Sequence, residues 1–300
     1  MVDGFDSVFG VITLRRCGLR IIYSRRRGCD HEPPRPRPEE VTYADRWTRR
    51  EPLALSGEEL QQAFVGFPGI YGDRVYAFRS SAAPKGFPYL TAREQGLMLR
   101  CRPVFRHGDH MAAPPNLAEA EALAPGVTPL YAEGAHMMVD VETPSGDVLA
   151  IDDSRLIDLL SEGRRAGLAL SLIRSDRALT DCRPVSLISM QTTRQIGQDV
   201  DAAMDKRRFR ANVYVDLTSD AGFHENAWVG RRLRIGAKAE LAVMDRDPRC
   251  KMITLDPDTA EADPNVIRRV TAMHEGTAGV YAAVLVEGTV RTGDSIALLD

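Results

Sequence analysis

The last third of the chain consists of short runs of β-branched and apolar residues broken by glycine, and this pattern constrains the fold more than any other feature. Val213-Tyr214-Val215-Asp216-Leu217, Arg232-Leu233-Arg234-Ile235, Ala239 to Met244, Met252 to Leu255, Val280 to Val286 and Ser295 to Leu299 each read as a strand. Gly230, Gly236, Gly288 and Gly293 stand between several of them as turn residues. Many short strands with few helices between them argue for a β-barrel or sandwich, because no single strand can bury its apolar face alone. Two helical interruptions are expected, at about Thr192–Met204 and Asn265–Met273. The expected fold class is therefore mainly β with some packing helices.

The region from Val41 to about residue 180 is also globular in pattern. Arg74-Val75-Tyr76-Ala77-Phe78 follows Gly69 and Gly72 and reads as a strand after a turn. Val139 to Thr143, Pro144-Ser145-Gly146-Asp147 and Val148 to Ile151 read as strand, tight turn and strand. Asp153-Ser154 then offers an N-cap to a helix carrying Leu156, Ile157, Leu159 and Leu160 on one side. Pro103 to Pro129 reads as a polar surface excursion, with a short helix over Leu117 to Leu123. Residues 1–40 stand apart. Arg15, Arg16, Arg20, Arg25, Arg26 and Arg27 form a basic cluster, and Pro33-Pro34-Arg35-Pro36-Arg37-Pro38 favours extended, solvated chain, so a disordered extension is expected.

Composition narrows the function. A net charge of −3 gives no reason to expect a nucleic-acid partner. No apolar run is long enough to span a bilayer, so no stable membrane insertion is expected, and a cytoplasmic location follows as the expectation. Five cysteines (Cys17, Cys29, Cys101, Cys182 and Cys250) are scattered without a C-x-x-C pair, which points to reduced thiols rather than a disulfide framework or a zinc site.

Four segments, in order, carry a family resemblance. They are Asp205 to Asn212, containing Arg208-Phe209-Arg210-Ala211-Asn212; Phe223 to Gly230; Asp247 to Thr259, containing Arg249-Cys250-Lys251-Met252-Ile253-Thr254-Leu255-Asp256-Pro257-Asp258-Thr259; and Gly279-Val280-Tyr281 with Glu287 to Asp294. Together they resemble the MOSC domain, the molybdenum-cofactor sulfurase C-terminal family. That family includes bacterial relatives and the mitochondrial amidoxime-reducing component. Upstream, Gly72 to Phe78 and Leu90-Thr91-Ala92-Arg93-Glu94 resemble the β-barrel domain that precedes MOSC in such proteins. The resemblance implies three parts: an extension over 1–40, a MOSC N-terminal β-barrel-like domain over 41–180, and a MOSC β-barrel over 181–300. One departure stands out. Where the N-terminal domain's opening strand usually carries Lys and Ser, Leu53 and Ala54 stand here.

The resemblance implies Cys250 as the reactive thiol and as a direct ligand to molybdenum in the molybdenum cofactor (Mo-molybdopterin). A thiolate is a soft anionic ligand and a competent sulfur nucleophile. By motif position, Arg74, Arg93, Thr192, Arg210, Asn212 and Arg249 are the candidates to bind the cofactor. Arginine suits its phosphate, and an amide suits a pterin edge. In a strand, the i, i+2 spacing of Arg210 and Asn212 would put both side chains on one face. Pyridoxal phosphate binding is implied only at the level of the family's general description.

Three functions follow from this reading. The first is an oxidoreductase that reduces N-hydroxylated compounds, with electrons from a separate ferredoxin- or flavin-reductase-like donor. The second is a sulfur carrier or transferase using a Cys250 persulfide. The third is a non-catalytic module that holds the cofactor or another anion. Asp256-Pro257-Asp258-Thr259 reads as a turn rather than a metal loop, and Glu225 and Trp228 read as structural. His107 and His110 form no useful pair with other ligands.

Overall fold

The computed structural model describes residues 42–50, 55–84, 86–108, 113–115, 117–118, 136–163, 169–175, 178–180 and 182–299. All of these belong to the compact unit Glu39–Asp300. The extension 1–40, Leu53 and Ala54, His110 and most of the expected Leu117–Leu123 helix lie outside the described residues.

The principal sheet has 8 strands, in the order Val213–Asp216, Val185–Ser189, Thr277–Val286, Ala239–Pro248, Arg232–Ile235, Ser295–Leu299, Thr42–Arg50 and Gly57–Leu60. Thr42–Arg50 also pairs antiparallel with Val213–Asp216, so the first and seventh strands meet and the sheet closes into a barrel. Closure removes the free edges that open sheets expose. All the pairings are antiparallel except Val185–Ser189 with Val213–Asp216. The architecture is mainly β, a closed barrel with packing helices. A strand from near residue 41 is thus built into the barrel of the C-terminal region. In addition, Gln62–Gly66 pairs with Gly288–Arg291.

Alternation fills the barrel. Leu233 and Ile235 are buried while Arg232 and Arg234 are exposed, as a period of 2 requires. The interior gathers Val185, Leu187, Val213, Val215, Leu241, Val243, Val280 and Ala282. Against the outside pack two helices, Met190–Val200 and Pro264–His274, capped by the side chains of Ser189 and Asp263. Ile188, Ile196, Phe209, Tyr214, Val266 and Val270 bury this seam. A third apolar cluster underlies the N-terminal region. It brings Phe64, Phe78, Met98, Cys101, Val139, Val141, Leu156 and Leu160 together with Leu255 from the C-terminal region.

Most of the expected elements appear where the sequence places them. The hairpin Val139–Glu142 and Val148–Ala150 turns through Gly146 at φ +89. Asp153 caps the helix Ser154–Ser161 by accepting from the Arg155 N–H. Two expectations need correction. Met252 to Leu255 is not a strand: Lys251–Thr254 is a 3-10 turn, closed by the Ile253 N–H donating to the Cys250 carbonyl. Arg74 precedes its strand rather than opening it. It sits in a turn at φ +54, and the strand runs Tyr76–Ser80.

Candidate functional site

Cys250 lies just past the long strand Ala239–Pro248, at the N-cap of the 3-10 turn. Its side chain is exposed and lines a cleft of about 130 Å³. Among the described residues, the same cleft is lined by six arginines (Arg74, Arg93, Arg183, Arg208, Arg210 and Arg249) against one carboxylate, Asp247. Such an excess of guanidinium over carboxylate in a concavity attracts anions and suits phosphate or carboxylate groups.

Three of these arginines hold the walls in place. Arg249 is buried. Its Nε donates to the Ala278 carbonyl at 2.7 Å and its Nη1 to the Phe209 carbonyl at 2.9 Å. Its Nη2 lies 2.9 Å from buried Asp247. This packing requires a glycine at 279. A Cβ there would stand 2.4 Å from the Leu187 carbonyl and 3.3 Å from Arg249 Nη2, and the backbone is at φ +78. Arg74 is also buried, paired with Asp73 at 2.6 Å and donating to the Pro184 carbonyl at 2.8 Å. Arg208 bonds the Thr254 carbonyl and Asp256.

The acidic tract after Cys250 is a turn that fastens this region. Asp256 accepts from the Thr259 and Asp258 N–H groups, each at 3.0 Å. The Thr259 bond and its neighbours hold the Asp256 carboxyl below the usual range. Asp258 takes both ends of the Arg207 guanidinium. The turn therefore anchors the 3-10 helix Lys206–Phe209, whose last residues shape the cleft.

Arg210 caps that helix at φ +52, and the strand begins only at Val213. The expected shared face of Arg210 and Asn212 is therefore absent. Arg210 lines the cleft and donates Nη2 to the Leu55 carbonyl. Asn212, by contrast, is fully buried beneath it. Its Nδ2 donates to Asp73 at 3.0 Å, and its Oδ1 accepts from the Ser186 N–H and hydroxyl, each at 3.2 Å. Thr192 is also interior; its hydroxyl oxygen accepts from Ser189 Oγ and from the Phe223 N–H. Both side chains are committed to the protein's own network rather than to the cleft wall.

Arg93 is half-buried on the wall. Its Nε donates to Thr91 Oγ1 at 3.2 Å, and Lys251 Nζ bonds its carbonyl. Glu225 is buried and accepts from the Ser189 N–H, next to buried Trp228, so both are structural. The structure also adds residues that motif reading passed over. Cys182 is a second exposed thiol lining the cleft, with Arg183, Ser186 and Tyr281 beside it. Arg208 was within reach, since it stands in the Arg208-Phe209-Arg210 motif. Nothing around Cys182 in the sequence marks it.

Fold and cleft define a β-barrel protein with an exposed thiol in an arginine-lined recess. Residues 174–297 match the family model described as the MOSC domain. No curated protein matches the chain. Among solved structures, the YuaD protein from Bacillus subtilis is similar at 13% identity, covering 87% of this chain and 97% of that one with a TM-score of 0.43. YiiM from Geobacillus stearothermophilus is similar at 15% identity, covering 43% and 67% with a TM-score of 0.32. YiiM from Escherichia coli stands at 13% identity, 39% and 55% coverage and a TM-score of 0.30. Among the described residues, no helix is long and apolar enough to cross a membrane.

Proposed function

We propose that the cleft binds the molybdenum cofactor, with the Cys250 thiolate as protein ligand to the metal. In this reading the protein reduces N-hydroxylated compounds with electrons from a separate donor protein. The observation that carries it is the exposed Cys250 thiol on the wall of a cleft lined by six arginines. The residues fit such a group. A soft thiolate suits the metal, and guanidinium groups suit the cofactor's phosphate. When bound, the cofactor supplies the two-electron oxygen-atom chemistry.

The chain's own residues bind and orient. Arg93 is the half-buried cation on the wall best placed to meet an anion, while Arg183 is held by Asp245 at 3.1 Å. Arg249 holds the backbone just before Cys250 against Ala278 and Phe209, which fixes where the thiol points. Arg74 and Arg208 add fixed positive charge without moving. Metal analysis of protein from a cofactor-competent host, with an amidoxime reduction assay, tests the reading. Stoichiometric molybdenum and activity are expected, and well-folded protein without molybdenum would overturn it.

A second reading has one observation in its favour: Cys182 is another exposed thiol on the same cleft. In a sulfur carrier, the Cys182 thiolate would attack the outer sulfur of a Cys250 persulfide. The new S–S bond at Cys182 forms as the old one breaks, and Cys250 leaves as thiolate, with no net redox change. Mass spectrometry after incubation with a cysteine desulfurase and cysteine tests this, with a gain of one sulfur atom on Cys250 expected. Failure to load Cys250, where a competent acceptor loads, would exclude it.

A further inference from the structure

Beside the first cleft lies a second, of about 510 Å³, whose lining includes Leu99, Arg100, Arg102, Pro144, Arg210 and Pro257. Arg210 lines both, so the two clefts are neighbours. Arg100 ends the 3-10 helix Gly96–Arg100, Cys101 is extended at φ −87 and ψ 126, and Arg102 opens the next strand. With Cys101 fully buried, its two neighbours must both turn outward, to one side of the extended chain. Both are exposed.

Other charged groups around this cleft are engaged. Arg207 is paired with Asp205 and Asp258, and Glu59 is 3.4 Å from Lys206. At the far end of the strand that Arg102 opens, Arg106 holds Asp140 with two bonds. Glu142 stands opposite Arg102 in the strand register, yet the two form no salt bridge. Among the described residues, neither Arg100 nor Arg102 has a carboxylate partner. Arg100 and Arg102 line the same cleft without a salt bridge, so both remain available to an anion bound there. Next to them, Leu99, Pro144 and Pro257 supply apolar surface.

We propose that the second cleft is a binding site for an organic phosphate monoester. Arg100 and Arg102 hold the phosphate, and the apolar body lies against Leu99, Pro144 and Pro257. A phosphate monoester is close to a dianion at neutral pH and matches two cations, whereas a carboxylate leaves one unmatched. The concave shape suits a small molecule better than a flat protein surface does. The proposal does not depend on what the first cleft holds.

Titration calorimetry of the full chain at low salt, with phenyl phosphate, inorganic phosphate and benzoate as probes, tests it. Phenyl phosphate is expected to bind about tenfold more tightly than inorganic phosphate, because its ring buries apolar surface. It is also expected to bind about tenfold more tightly than benzoate, which carries one charge fewer. The double variant Arg100→Gln, Arg102→Gln should lose phenyl phosphate affinity by about tenfold or more. Arg93→Gln and Cys250→Ser, in the first cleft, should keep it. Protection from phenylglyoxal, read by mass spectrometry on the unaltered protein, provides a check free of folding effects. Phenyl phosphate should slow modification of Arg100 and Arg102 but not of Arg268, which lines neither cleft. Three results would overturn the proposal: unchanged binding in the double variant, loss of binding in Arg93→Gln instead, or tighter binding of benzoate or a glutamate-rich peptide than of phenyl phosphate.

Discussion

On one side of Arg210, the side chains of Arg74, Arg208 and Arg249 are each ion-paired with a carboxylate and hydrogen-bonded to at least one backbone carbonyl. On the other side, Arg100 and Arg102 are exposed and have no carboxylate partner among the described residues. The first group is part of the fold. Its guanidinium groups are held in place by those partners, so it contributes shape and a fixed field, while Arg93 has no carboxylate pair among the described residues and Arg183 is paired with Asp245 at 3.1 Å. The second group contributes almost nothing to folding and is free for a ligand. Arginine content alone does not separate a wall from a contact; the partners of each guanidinium do.

The largest effect expected from breaking this contrast is at Arg249. Arg249→Ala removes the cation beside buried Asp247 and strips two carbonyls of their donor, so a loss of about 3–5 kcal/mol in urea unfolding is expected. A loss under about 1 kcal/mol would show that Arg249 is not part of the wall. Next comes the interior thiol. Burial pushes Cys101 from 9.0 up to about 11. The unfolded chain therefore gives up this proton first as pH rises, and stability present below 9 is lost on the way through about 11. Its size is of order 2 kcal/mol, and Cys101→Ala should remove this pH dependence from denaturation midpoints. In the same protein, Cys250 and Cys182 should alkylate in the folded state while Cys101 does not.

Asn212→Ala removes three bonds to Asp73 and Ser186, with about 1–3 kcal/mol expected in the same unfolding assay. The smallest effect belongs to the second cleft. Arg100→Gln with Arg102→Gln should change stability by no more than about 0.5 kcal/mol, and a larger loss would erase the contrast between the two groups.

What the sequence shows of this fold follows the range of the interactions. The hairpin after Val139 and the cap at Asp153 are decided within a few residues by Gly146 and by the Arg155 N–H, and both are legible. The closure of the barrel is not, because Thr42–Arg50 meets a strand at Val213 that is far away in the chain. Met252 to Leu255 misleads because four apolar residues fit a strand or a turn equally well. The Ile253 N–H, bonded to the Cys250 carbonyl, decides for the turn. In the site, motif reading leads to Arg74, Arg93, Arg210, Arg249 and Cys250, which the fold gathers on one cleft. It does not separate these from Asn212 and Thr192, whose burial depends on Asp73, Ser186 and Phe223 from other segments. Cys182 stands in no motif and is brought to the cleft only by the fold.

The central claim is that Cys250 is the metal-ligating thiol of a cationic cleft. It is tested most directly by molybdenum content, measured by elemental analysis on full-length protein and on Cys250→Ser from the same cofactor-competent host. Because the side chain is exposed, the substitution should leave thermal unfolding unchanged. One molybdenum per chain in the parent and its loss in the variant are the expected result. Equal molybdenum in both, or none in the folded parent, would contradict the account.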